Sequence, residues 1–96
     1  MKQFVSLQAA RVFINQEAQN HVNHLKKLGS NIGSVPFVWC NNQAALMDMF
    51  DKHGYVFNDP YAVQALNDAM QAGYIQLNNI GGVMITPSGY NNIGKW

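Results

Sequence analysis

Apolar residues recur at Leu7, Ala10, Ile14, Ala18, Val22, Leu25 and Leu28. Steps of three and four sustained over about six turns match the 3.6-residue helical period and exclude a strand. Ser6 is placed as an N-cap, Lys26 and Lys27 fall in the last turn where they complement the helix dipole, and Gly29 follows as a stop. The spacing therefore predicts one long amphipathic helix at the start of the chain. Phe13 and Val12 widen its apolar stripe beyond what a small domain needs to cover, which points to a dimer contact through this helix.

A chain of 96 residues with one such helix has room for one core, so residues 1–96 are read as a single domain. Apolar residues are 48% of the chain, enough to fill that core, while charged residues are only 11%, well under the usual quarter. The missing polarity is supplied by 12 Asn and 8 Gln spread along the whole length, a surface with little self-repulsion that suits oligomers and complexes. Cys40 has no second cysteine to pair with, the N-terminus lacks an apolar signal-like run, and no stretch approaches a membrane span. The expected setting is cytoplasmic, with no membrane partner and no cofactor.

The remaining elements follow from punctuation and period. Residues 29–34 compose a loop, and Val35 to Trp39 reads as a short strand that Pro36 confines to a sheet edge. Asn41 or Asn42 caps a helix over Gln43 to His53, with Leu46, Met47, Met49 and Phe50 inward. Asp59 followed by Pro60 is a strong cap-then-proline start for a third helix, with Ala62, Val63, Ala65, Leu66, Ala69 and Met70 inward. Tyr74 to Asn78 and Val83 to Thr86 are two strands around the turn Asn79-Ile80-Gly81-Gly82, with Leu77 and Val83 or Ile85 covering the core edge. Thr86-Pro87 repeats the cap-then-proline signal and starts a short last helix to about Ile93. The fold class is α+β.

Two local patterns resemble the winged helix-turn-helix superfamily. The stretch from Ala65 to Ile75 is similar to the end of that family's recognition helix running into its first wing strand. Val83-Met84-Ile85-Thr86-Pro87-Ser88-Gly89-Tyr90 is similar to the hydrophobic-Thr-x-x-Gly ending of its second wing strand. The match covers residues 62–90; over 1–58 it is topological, and the connection from Gly54 to Asp59 is longer than the tight turn of the compact motif. The resemblance implies the order helix, strand, helix, helix, strand, strand, and a DNA-binding transcriptional regulator whose third helix enters the major groove. Gln64, Asn67 and Gln71 would then face bases, Asn79 would lie at the wing tip, and Lys26, Lys27 and Lys52 would meet phosphates.

The distribution of charge pulls the other way. Residues 1–40 carry Lys2, Arg11, Lys26 and Lys27 against Glu17, a net of +3. Residues 41–74 carry Lys52 against Asp48, Asp51, Asp59 and Asp68, a net of −3, and the expected reading helices lie there. Affinity for nucleic acid comes mostly from cations on phosphates, and amides alone bind weakly. The second reading is therefore a winged helix used for protein contact, an accessory or inhibitory protein with no direct DNA contact. Tyr55, Tyr61, Phe13 and Trp96 are its candidate interface residues, since aromatics with polar tips suit interfaces.

Nothing in the residue pattern demands catalysis. His21 and His24 at i, i+3, with His53 and Cys40, form a weak metal pattern that chance produces often, and they read as surface or interfacial histidines. Cys40 ahead of a helix N-terminus is where a thiol pKa falls, yet no base is positioned for it by spacing, so a structural thiol is the better reading. Asp48 and Asp51 lie one turn apart on a solvated helix face. The expectation is a non-enzymatic binding module without a metal.

Overall fold

The computed structural model describes residues 2–30 and 33–96, so Asn31 and Ile32 of the expected loop lie outside the described residues. In chain order the elements are α1 (Leu7–Lys27), β1 (Phe37–Cys40), α2 (Gln43–Asp51), α3 (Pro60–Gln71), β2 (Ile75–Leu77), β3 (Val83–Ile85), α4 (Pro87–Asn92) and a terminal 3-10 turn, Ile93–Lys95. The three strands form one antiparallel sheet in the order β1-β3-β2, so the architecture is α+β with β1 and β2 as edges. Each helix start carries the cap expected of its residue. Ser6 accepts from the Ala9 amide, Asn42 from the Ala45 amide, and Asp59 from the Tyr61 and Ala62 amides.

α1 is the spine. Its buried residues Ala10 and Ile14 join one apolar cluster with Phe4, Phe50 and the inner face of α3. Ala18 and Val22, further along, join a second cluster with Ile85, Tyr90 and Ile93. α1 packs chiefly against α3, and the seam is lined with alanine: Ala10, Ala62, Ala65 and Ala69 are all fully buried. Small side chains let two helices approach closely, so only a narrow arc of α3 faces inward.

Three expectations are corrected by the packing, the one on α3 by that narrow arc. Val63 on α3 and Met47 on α2, both placed inward by the apolar pattern, are 44% and 41% exposed. Leu77, expected on the core edge beside Val83 or Ile85, is 50% exposed, while Val83 and Ile85 on the central strand are both fully buried there. The strands are also shorter than expected. The first starts at Phe37 opposite Ile85, leaving Val35 outside the ladder, and an irregularity between Val38 and Cys40 shifts the register. The second helix stops at Asp51, two residues early: the His53 amide tightens onto the Phe50 carbonyl and Gly54 reverses the chain at a φ of 80°.

The long connection between α2 and α3 is held by the N-terminal segment. Lys2 forms a parallel bridge beside Tyr55, its amide donating to the Gly54 carbonyl and its carbonyl accepting from Val56. The Phe4 amide then donates to Asp59 Oδ2 at 3.2 Å while Oδ1 caps α3. Asp59 is therefore buried but fully engaged.

The last corner has equally little freedom. Thr86 Oγ1 donates to the Gly73 carbonyl and accepts from the Gly89 amide, and the Thr86 amide donates to the Tyr74 carbonyl. A Cβ on Gly89 would lie 2.0 Å from the Tyr74 carbonyl oxygen, so the position excludes any side chain. Gly89 is thus a close-approach residue and more than punctuation.

Two stability outcomes follow. Asp59→Ala removes the α3 cap and leaves the buried Phe4 amide unpaired, which costs about 2–4 kcal/mol in urea unfolding. Gly89→Ala forces backbone apart at the Tyr74 carbonyl and costs at least about 2 kcal/mol, whereas Gly33→Ala, with open space around it, leaves the urea midpoint nearly unchanged.

Candidate functional site

Two concave regions stand out, and they differ in chemistry. The first is an open cleft of about 470 Å³ between α1, β1 and α2, lined among others by Glu17, His21, Cys40, Asp48, Lys52 and His53. Both of its histidines are already engaged. His53 Nε2 lies 3.0 Å from Glu17 Oε1, tying the end of α2 to α1. His21 Nε2 lies 3.0 Å from the Val38 carbonyl, which only accepts, so that nitrogen carries the proton and covers the free edge of β1. His24, one turn further along α1, is exposed and is not among the residues lining the cleft. Among the described residues no group of three His, Cys, Asp or Glu is placed to hold a metal ion.

Cys40 corrects the idea of an activated thiol. Burial pushes it up to about 11, and the positive charge of Lys52 opposes this only partly. The neutral thiol packs against the core cluster of Phe50 and Val83 as a small apolar group.

The second region is apolar. A groove of about 280 Å³ lies where α2, α3 and the β2–β3 hairpin meet, and its walls are Leu46, Phe57, Val63, Leu66, Met70 and Leu77. It continues past Gln43 and Phe57 into a shallower depression bordered by Met47, Val56 and Asp51. Ile80 at the hairpin tip is 62% exposed. Met47, Val63 and Leu77 belong to different elements, so tertiary packing brings exposed apolar side chains together along the groove and its extension.

The hairpin is fixed in place to make this wall. Asn78 Oδ1 accepts from the Ile80 and Gly82 amides, closing the turn, while its Nδ2 donates to the Asn41 carbonyl. The Gln43 amide donates to the Ile80 carbonyl, so the tip is bonded to the first turn of α2. Gly82 packs into the same joint, where a Cβ would sit 2.4 Å from the Cys40 carbonyl oxygen.

The residues singled out from the sequence distribute as follows. Gln64, Asn67 and Gln71 are exposed on α3, with Gln64 donating to Asp68 at 2.8 Å, and Asn79 is exposed at the hairpin turn. The lysines lie elsewhere. Lys26 sits over the Tyr90 ring, Lys27 ends α1, and Lys52 lines the polar cleft. Lys2 lies over Tyr55 and Arg11 over Trp96, at 4.8 and 4.6 Å from the ring centroids. Among the described residues no Lys or Arg lines the apolar groove or its extension, and Asp51 is the one charged side chain there.

Of the aromatic candidates, Tyr61 alone is well exposed, at 44%. Tyr55 stacks on Phe4 with centroids 4.1 Å apart, and Phe13 packs among Phe4, Phe50, His53 and Tyr55. Trp96 meets Tyr74 edge to face. Of the two residues that widen the α1 stripe, Phe13 is covered inside the domain by the aromatic cluster, while Val12 is 45% exposed. The groove itself escaped the sequence reading because its walls look like core. The signal was present in the excess of apolar positions on α3, six in twelve residues spanning more arc than a seam of alanines needs.

Compared with family models, with curated proteins and with solved structures, the chain matches none. No helix is long and apolar enough to cross a membrane among the described residues.

The thiol supplies a pH outcome. The folded protein holds the Cys40 proton to about pH 11 while an unperturbed thiol releases it near 9.0. The folded state therefore binds the extra proton between those values, so its stabilising effect is complete below pH 9 and is lost as pH rises towards 11, by about 2–3 kcal/mol. Urea midpoints measured from pH 8 to 11 should show this fall, and Cys40→Ala should lack that component.

Proposed function

We propose that the chain is a winged-helix binding module without catalytic activity, and that its ligand is a protein. The element order supports the scaffold reading: helix, strand, helix, helix and a two-stranded hairpin is the order that the resemblance implies. The observation that carries the ligand class is the composition of the α2–α3–hairpin face. It offers a neutral apolar groove and no cation, while the six Lys and Arg residues lie on α1, the cleft or the chain ends. Phosphates need cations, whereas an exposed apolar surface with methionines on it suits a protein surface.

A second reading has its own observation. Gln64, Asn67 and Gln71 share the outer side of α3 and have the donor–acceptor pairs that adenine edges accept, so a partner supplying phosphate contacts would make the module a DNA-binding regulator.

Titration with mixed-sequence duplex DNA at about 50 and about 200 mM salt separates the two. The protein-binding reading expects no DNA binding at either salt concentration. Binding at low salt that weakens steeply at high salt, and is lost in a Gln64→Ala, Asn67→Ala, Gln71→Ala variant, would establish the second reading in its place.

A further inference from the structure

Resting on the protein-binding reading, we infer that the groove between α2, α3 and the hairpin takes one amphipathic helix of a partner protein, with a Lys or Arg of that helix at the end that meets Asp51.

Shape and chemistry both point to a helix. The groove is lined by side chains from three elements and the α2–α3 connection, Leu46, Phe57, Val63, Leu66, Met70 and Leu77 among them. A helix presents apolar anchors at i, i+3 or i+4, and i+7, which enter such a trough, while its backbone needs no partner from the walls. The walls offer apolar groups and two amides, Gln43 and Asn67, and those amide side chains cannot satisfy the run of backbone groups an extended peptide would bring. The outer edge of β2 is only three residues long, too short to serve an extended strand well.

Charge sets the direction of preference. Among the described residues lining the groove and its extension Asp51 is the only ionised one, it is exposed at the end of α2, and no lysine or arginine there competes for it. A cation on the partner finds a carboxylate at that end, and an anion there meets repulsion. Methionine at positions 47 and 70 gives the walls flexible side chains that adapt to different anchors.

The test uses the full 96-residue chain and designed peptides of about 14 residues with a leucine stripe at helical spacing. One peptide has lysine at both ends, a second has glutamate at both ends, and a third is the lysine form with a central proline. Binding is read by fluorescence anisotropy and by amide shifts in NMR. The lysine-ended peptide should bind more tightly than the glutamate-ended one by about threefold to fivefold, with shifts centred on Met47, Val63, Met70 and Leu77. Asp51→Lys should reverse that order; the residue is exposed and ends a helix, where lysine is tolerated, so folding is retained. Val63→Glu should weaken both by about tenfold or more.

Equal binding by the proline peptide would show an extended occupant, overturning the helix while leaving protein binding intact. Absence of binding by every peptide, or an order unchanged in Asp51→Lys, overturns the inference. Concentration-dependent shifts of the same residues without peptide would identify a second copy of this chain as the occupant and overturn it too. Salt-sensitive DNA binding in the titration above, by contrast, would overturn the reading on which the inference rests.

Discussion

A single buried carboxylate joins the two halves of this domain. Asp59 caps α3 through Oδ1 and receives the Phe4 amide through Oδ2, so the start of the chain and the start of the third helix share one acceptor group. Phe4 then sits between Tyr55, Phe13 and Phe50, and those rings connect α1 to α2. The Gly54–Asp59 connection, too long for a tight turn, is held by the same segment through the Lys2 bridge. With a fully satisfied carboxylate at its centre, the arrangement orders a loop that would otherwise leave polar backbone unpaired.

From that anchor the remaining geometry follows by close approach. Alanines along α3 allow α1 to lie near it, which narrows the buried arc and turns Val63 outward. Thr86 and Gly89 lock the end of α3 to the start of α4, since the Tyr74 carbonyl leaves no space for a side chain. Asn78 and Gln43 lock the hairpin to α2. The hairpin is therefore a rigid wall of a groove, and its uncharged tip is consistent with that use.

Burial of functional-looking groups is as informative as exposure. Cys40 and the histidines at positions 21 and 53 carry the chemistry a catalytic or metal reading needs, but the thiol is held neutral, His21 covers a strand edge, and His53 is bonded to Glu17. Phe13, Tyr55 and Trp96, aromatic candidates for an interface, use their surface within the domain. The exposed apolar area comes instead from aliphatic and methionine side chains. For these residues the physics of packing reassigns roles that residue type alone proposes.

Helix starts were legible in the sequence because capping is local: Ser6, Asn42, Asp59-Pro60 and Thr86-Pro87 act on amides within three residues of themselves. The 3.6 period of α1 and the α+β class were legible for the same reason, since periodicity reflects one buried face. The charge asymmetry between residues 1–40 and 41–74 was also plain from the chain alone. The tertiary structure decided which apolar residues stay outside. Leucine at position 77 and valine at position 63 are indistinguishable from core residues until the partner surfaces are known, because hydrophobic burial is non-directional and depends on how closely neighbours approach. It also decided that Met47, Val63 and Leu77, up to 30 residues apart in the chain, line one groove and its extension. That juxtaposition depends on the order of elements in space, which no local pattern encodes.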